Sequence, residues 1–583
     1  MRAFWDLRWF FWQERFKYSF GILLLVIVAL LSLLPPYVVG VVVDAIEQNR
    51  LTTGMLARWM GAMIAAGICM YVLRYVWRIM IFGSSLHLGR TLRYNLYQHF
   101  TRMSSDFFGR KRTGDLMAHA TNDITAVQMM AGQGVLTIVD SLVMGGFVVL
   151  AMAVGISWQL TLITLLPMPL MALLTSWYGH LLHQRFGAAQ QSFSQLNNRT
   201  QESISGVKVT KTFGYEQEDI EAFDAQSRDV VNKNERVARI DALFDPTITL
   251  IIGVCYLLAI GFGAGYVNDG SITIGQLTTF SVYLGMLIWP MLAFGWFFNI
   301  IERGHASYDR IRSLMAERTD ITDQEAGVDQ VPAGAVQISI DEFSYPRSET
   351  NALHDIHASV QPGQTIGIVG RTGSGKTTLL RLLLRELKSG AGAITIGGTP
   401  AEAYYLDTYR LAFGNVPQEH FLFSMTLADN IAFSSPEATQ QDIQRAAGLA
   451  AIHDDIVALP GGYATAVGER GVTLSGGQKQ RISIARALLQ NPEILILDDA
   501  LSAVDANTEQ QILEALKQER RGKTTFIVTH RMSTVKEADA VWVMEHGTIV
   551  ENGSHRALME AGGIYAEMVK REELKAQVER GDR

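Results

Sequence analysis

The sequence predicts an α-helical membrane domain of six spans fused to a soluble α/β domain, and three observations predict it. Six apolar stretches fill the first half, each meeting the ~20 residues that a helix needs to cross a bilayer. Basic residues crowd alternate connections between them. After about residue 316 the pattern changes to short apolar strands alternating with helices, the signature of a soluble α/β domain.

Composition agrees. Of 583 residues, 48% are hydrophobic and only 18% charged, below the roughly 25% usual for soluble domains. A net charge of −7 gives no sign of a nucleic-acid partner. The two cysteines, Cys69 and Cys255, both lie in apolar stretches, so neither a disulfide nor a cysteine metal site is expected.

Residues 1–17 interleave Trp5, Trp9, Phe10, Phe11, Trp12 and Phe16 with Arg2, Arg8, Arg15 and Lys17. Rings and cations together suit the headgroup layer, which predicts an interfacial elbow helix lying on the membrane rather than a cleaved signal. The spans run approximately over 18–43, 56–82, 134–155, 158–178, 244–267 and 275–300. Only Ile156 and Ser157 separate the third from the fourth, so that turn must be tight.

The connections fix the expected orientation. The stretch before the first span is basic, whereas the loop after it carries a single Arg50. The loop after the second carries Arg90, Arg93, Arg102, Arg110, Lys111 and Arg112. The stretch after the fourth carries Arg185, Arg199, Lys208, Lys211, Arg228, Lys233, Arg236 and Arg239, while the fifth and sixth spans are joined through Asp269 alone. Arg303, Arg310 and Arg312 follow the sixth. The alternation places both termini in the cytoplasm of a cell inner membrane. The two basic connections keep helical patterns without Pro, as over 86–103 and 188–208, so the helices should continue well beyond the bilayer. The resulting division is elbow 1–17, membrane domain 18–315, polar linker 316–334, soluble domain 335–575 and polar tail 576–583. Arg74, Arg78, Asp140 and Asp245 stand out as ionisable residues within or near the spans. The aromatic and Met side chains of the sixth span, Trp289, Met291, Phe294, Trp296 and Phe298, are candidates for lining an apolar cavity.

In the soluble part, 365–369 reads as a buried strand. Gly370, Arg371, Thr372, Gly373, Ser374, Gly375, Lys376 and Thr377 follow it, and then a helix over 378–387 beginning with Thr378. This is a complete G-x-x-x-x-G-K-T loop in its strand–loop–helix context. Glycines let backbone N–H groups wrap phosphates, the helix start adds positive potential, Lys376 reaches the β/γ phosphates and Thr377 takes Mg²⁺. Downstream, 494–498 is an apolar strand ending in Asp498, which suits a Walker B carboxylate on the same ion.

Leu474, Ser475, Gly476, Gly477 and Gln478, followed by Lys479, Gln480 and Arg481, form a highly specific motif. With it the whole chain resembles the ATP-binding-cassette transporters, and its membrane half the exporter branch. Phe107, Phe108 and Thr113–Leu116 resemble the first coupling loop of that branch. Gln201–Ser203 and Thr212–Glu216 resemble the second. Residues 140–145, 245–247 and 288–291 resemble the A-type subunits of enterobacterial heterodimeric multidrug-resistance-like half-transporters.

The resemblance implies ATP and Mg²⁺ as cofactors and a second half-transporter as partner. It also implies that Ser475, Gly476, Gly477 and Gln478 close over the nucleotide of the opposite subunit. It makes Tyr345 the ring stacked on adenine, Gln418 the sensor of Mg²⁺ and water, His530 the γ-phosphate switch, and 502–505 the loop crossing to the partner. Residues 468–471 resemble the segment that touches the membrane-domain loops. One position departs from the pattern: the family's catalytic Glu after the Walker B Asp is here Asp499. Asp is one methylene shorter, which sets the carboxylate about 1–1.5 Å back, a distance to which catalysis is sensitive. The implied partner is therefore a half-transporter that carries Glu there. The implied activity is ATP-driven, multidrug-type export of hydrophobic or amphipathic solutes across the cytoplasmic membrane. A lipid flippase and an ATP-gated channel or regulatory subunit are the alternatives of the same architecture.

Overall fold

The computed structural model describes residues 5–323, 326–346, 348, 350–468 and 474–579. The chain divides into two compact units, one of Met1–Thr101 with Thr113–Glu317, the other of Arg102–Arg112 with Arg318–Arg583.

The first unit is all helix. A short helix, Arg8–Gln13, precedes the break at Glu14. Six helices long and apolar enough to cross a membrane follow: Arg15–Glu47, Thr53–Thr101, Thr113–Gly155, Trp158–Ser205, Glu216–Asn268 and Ile274–Ala316. The second spans 49 residues. At 1.5 Å per residue that is about 74 Å, more than twice the ~30 Å hydrocarbon core. The helices do extend far past the length a bilayer needs. The tight turn expected at Ile156 and Ser157 is present, with Ser157 Oγ accepting the Leu160 N–H at 3.3 Å as an N-cap.

The helical bonding of the first span is interrupted at Leu33, where Pro35 and Pro36 open the new segment Leu34–Glu47. That segment meets the start of the sixth span at a glycine contact. A Cβ on Gly275 would sit 2.0 Å from the Gly40 carbonyl oxygen, so no larger residue fits. Asp44 fastens the same contact, accepting from Thr273 Oγ1 at 2.7 Å and from the Gly275 N–H at 2.6 Å. Beyond the spans, Met168–Ser205 lies against Glu216–Asp241, held by Ser192 to Asp229 at 2.5 Å and Arg199 to Asp219 at 2.9 Å. The helix Val207–Phe213 caps this pair and ends on left-handed Gly214 (φ 64°). Its Phe213 is 80% exposed. In the sixth span Trp289, Trp296 and Phe298 are exposed and Met291 is half-buried, while the Phe294 side chain lies outside the described set.

The second unit holds two sheets. β1 (Val336–Phe343), β2 (Leu353–Val360), β4 (Ala391–Ile396) and β5 (Thr399–Pro400) form an antiparallel sheet in the order β2-β1-β4-β5. The other sheet is built from β3 (Thr365–Gly370), β6 (Phe413–Val416), β7 (Ile494–Asp498), β8 (Thr524–Val528), β9 (Ala540–Glu545) and β10 (Thr548–Gly553). Its order is β10-β9-β3-β8-β7-β6, parallel from β9 to β6. β7 and β8 are buried along their whole length, as expected of strands covered on both faces. The helix Ser105–Arg110 clusters with this unit, its Phe107 buried and its Ser105 hydroxyl 3.5 Å from Arg381 Nη2.

Candidate functional site

In parallel sheets the ligand crevice lies at the carboxyl ends of the strands, and this sheet delivers four motifs there. β3, β8, β7 and β6 are neighbours, with Ile368, Val528 and Asp498 level in register and Val416 beside Leu497. Their next residues are, in order across the sheet, the Gly370–Thr377 loop, His530, Asp499 and Gln418. Topology alone therefore lines up residues that are 160 positions apart in sequence (530 − 370 = 160).

The loop after β3 turns through left-handed Gly373 (φ 84°) and Gly375 (φ 98°). Gly375 starts the helix Lys376–Leu383, two residues earlier than the sequence pattern predicts. Left-handed Arg385 (φ 50°) lies two residues beyond its end, which falls before the predicted 387. Lys376 is buried, its Nζ donating to the carbonyls of Gly370 at 2.8 Å and Arg371 at 2.9 Å. Burial lowers its pKa, against the pull of Asp498 and Asp499. The loop is an anion cradle with a cation drawn into its floor.

Asp498 is buried at the end of β7, and burial raises its pKa, opposed by the Thr377 hydroxyl and reinforced by Asp499. Thr377 Oγ1 donates to Asp498 Oδ2 at 3.1 Å. Two cis ligands of an octahedral Mg²⁺ with 2.0–2.1 Å bonds lie about 2.9 Å apart, so these oxygens fit one Mg²⁺ with little movement. Lys376 and His530 act on this buried carboxylate only through charge at a distance, and an ion bound to it would add a direct positive partner.

Asp499 is half-buried and left-handed (φ 51°), a conformation Asp tolerates better than most residues. Its N–H donates to the Val528 carbonyl at 2.8 Å. Its carbonyl accepts from Gln480 Nε2 at 3.3 Å and Ser502 Oγ at 3.0 Å. The backbone is thus held from three directions. Gln418 and His530 are exposed, and Tyr345 is half-buried with its hydroxyl 3.1 Å from Thr378 Oγ1.

The signature segment begins a helix, Gly476–Leu489. Ser475 and Gln478 cap it reciprocally, Gln478 N–H donating to Ser475 Oγ at 3.3 Å and Ser475 N–H to Gln478 Oε1 at 3.0 Å. The Ser475 oxygen is used as an acceptor in this cap, so its own proton remains available to an incoming anion. Residues 469–471 of the segment expected to touch the membrane-domain loops lie outside the described residues.

Three residues here stand in contacts or surroundings to which the sequence assigns no role. Gln480 joins the signature helix to the next loop, also accepting from the Ala503 N–H at 2.9 Å. Arg531 donates to the carbonyls of Ser502 at 2.8 Å and Val504 at 3.1 Å, and pairs with buried Glu509 at 2.7 Å. It therefore ties the residue after His530 to the 502–505 loop. His420 has both ring nitrogens buried without a partner among the described residues. Burial lowers its pKa, against the pull of Asp499. In the sequence Gln480 is marked by its place in the signature motif, and Arg531 and His420 only by adjacency to His530 and Gln418.

Known proteins share the architecture of this chain. A model of the ABC transporter transmembrane region matches residues 18–291, and one of the ABC transporter domain matches 353–502. The chain is 50% identical to the multidrug resistance-like ATP-binding protein MdlA of Escherichia coli over 581 residues, 99% of this chain and 98% of that protein. It is 44% identical to the probable multidrug resistance ABC transporter ATP-binding/permease protein YheI of Bacillus subtilis, covering 97% of each. A bacterial Atm1-family ABC exporter solved with ATP bound superimposes with a TM-score of 0.79 at 27% identity, over 96% of this chain and 98% of the other. The chain belongs to the ABC transporters: it is a multi-pass membrane ATPase of the exporter fold that couples hydrolysis of Mg²⁺-bound ATP to transport.

Proposed function

We propose that this chain is one half of a heterodimeric inner-membrane exporter of hydrophobic or amphipathic compounds, and that it contributes the weaker of two ATP sites. The observation that carries the asymmetry is Asp499. A side chain one methylene too short could be rescued by a backbone that moves forward by about 1 Å. Here the Asp499 N–H and carbonyl are both tied down, by Val528, Gln480 and Ser502, so no such advance is available.

In the proposed mechanism the Gly370–Thr377 loop wraps the phosphates, with Lys376 moving from its carbonyls onto the β/γ oxygens. Thr377 and Asp498 would hold Mg²⁺, which when bound would supply positive charge against that developing on the transferred phosphoryl group. Gln418 and His530 reach the γ-phosphate and attacking water from neighbouring strand ends, and Tyr345 stacks on adenine. The partner's signature closes this site, while Ser475, Gly476, Gly477 and Gln478 close the partner's. Phe213 and neighbouring Tyr215, beside the turn between Met168–Ser205 and Glu216–Asp241, are aromatic and uncovered, which supports a second chain seated there. The drug-type substrate rests on the relatives named for multidrug resistance.

Two experiments test this reading. Reconstituted alone, the chain should hydrolyse ATP slowly and move a hydrophobic dye poorly. Reconstituted with a half-transporter carrying Glu after its Walker B Asp, both rates should rise by at least about tenfold. Equal rates with and without that partner would refute the heterodimer. For orientation, cysteines at Asn49 or Asp269 should react with an impermeant thiol reagent on intact cells, and one at Arg110 should not. The reverse pattern would overturn the placement of both termini in the cytoplasm.

A further inference from the structure

We propose that the segment ahead of the first span binds an acidic phospholipid, its headgroup phosphate held between Arg8 and Arg15. The segment carries two unlike faces. Leu7, Phe10, Glu14 and Tyr18 are buried, at the three- and four-residue steps of one helical stripe. Trp5, Arg8, Trp9, Trp12, Arg15 and Phe16 are exposed on the other side. Trp5, Arg8, Phe11, Trp12 and Arg15 together line a shallow recess of about 400 Å³.

The outer face suits neither water nor hydrocarbon. Trp12 is 72% exposed and Phe16 76%, a large area of ring to leave in water. Two arginines in the same place exclude the bilayer core. Rings and cations are both at ease in the headgroup layer, and the span that begins at Arg15 puts the segment at that level. The rings also hold one of the cations. The Arg15 guanidinium lies 4.6 Å from the centre of the Trp12 ring and 5.1 Å from that of Phe16, which restrains it and leaves its N–H donors for an anion.

The protein does not balance this charge itself. The segment has two acids, and both are engaged elsewhere. Glu14 is buried, with Lys17 Nζ at 2.8 Å, His87 Nδ1 at 2.9 Å and Ser84 Oγ at 3.3 Å. Asp6 lies 3.7 Å from Arg312. Among the described residues neither the Arg8 nor the Arg15 guanidinium has an ion-pair or hydrogen-bond partner. The Glu14 contacts also fasten the segment to the helix Thr53–Thr101, so both cations are presented from a fixed frame. A guanidinium fork matches phosphate oxygens bidentately. Zwitterionic lipids bring an ammonium beside the phosphate, which two arginines repel, whereas phosphatidylglycerol brings none. The site lies wholly in this chain and does not depend on the heterodimer.

The test uses the full-length chain in neutral-detergent micelles, titrated with phosphatidylglycerol or with phosphatidylcholine of the same acyl chains. Native mass spectrometry counts bound lipid. Wild type should bind its tightest phosphatidylglycerol several-fold more strongly than phosphatidylcholine. Arg8→Gln and Arg15→Gln should each weaken phosphatidylglycerol by about fivefold, and the double variant by about 25-fold, with phosphatidylcholine unchanged. Replacing both by Lys, which keeps the charge, should restore most of the loss. Unaltered ATP binding confirms an intact chain. Equal affinity of wild type for the two lipids would overturn the proposal, as would an unchanged affinity in the double Gln variant. Equal loss of both lipids in that variant would assign the site to the rings instead of the charges. Displacement of phosphatidylglycerol by an equal concentration of inorganic phosphate would make it a site for a free anion, and would equally overturn the proposal.

Discussion

In the proposed two-chain transporter, Ser475→Ala and Gly477→Asp each remove most ATP turnover, whereas Asp499→Asn leaves most of it in place. In that proposal the signature residues of this chain serve the partner's site, which carries the competent base. Losing Ser475 removes a hydroxyl aimed at the γ-phosphate and a helix cap worth about 1 kcal/mol. Gly477→Asp places a carboxylate where a phosphate must sit, and its Cβ would stand 2.8 Å from the Ala503 carbonyl oxygen. Loss of oxyanion-type stabilisation costs about 10²–10³ in rate, so the residual activity should be that of the weaker site. Asp499→Asn touches only that weaker site. Phosphate release from the purified pair measures all three. Full-rate hydrolysis by this chain alone, abolished by Asp499→Asn, would identify Asp499 as a working base and end the asymmetric reading.

Lys376→Ala should weaken nucleotide binding at this cassette by about 10- to 100-fold, the worth of one charge-assisted hydrogen bond at about 1.5–3 kcal/mol. The effect has two sources. The ammonium no longer reaches phosphate, and the Gly370 and Arg371 carbonyls it now satisfies lose their donor. Titration with a fluorescent ATP analogue reads the change. An unaltered dissociation constant in a folded variant would remove Lys376 from the site.

The spans were legible because a bilayer imposes a length and a composition that few soluble segments meet, and the phosphate loop because its chemistry dictates its residues in order. Contacts made across sequence were not. Nothing local to Asp44 announces that it will hold Thr273 and Gly275, and the place of Gln480 in the signature motif does not tell that its amide sits on the Asp499 carbonyl. Helix irregularities also escaped notice. The π-turns at His119–Asp123 and Met130–Gly134 keep helical composition, and only their backbone bonding differs. Asp499 lies between these cases. Its identity was readable as a departure, but the fixed backbone that prevents compensation required coordinates.

The eleven residues Arg102–Arg112 cluster with the ATPase unit although they lie more than two hundred positions before its main body at Arg318. The chain therefore crosses between units after Thr101, Arg112 and Glu317 rather than once. Truncation cannot separate the two cleanly. A fragment beginning at Arg318 would be a cassette with a missing piece, its Arg381 without Ser105 and the surface beneath Phe107 opened to water. Behaviour of such a fragment would describe a wounded domain, and the full-length chain remains the smallest object in which that surface is whole.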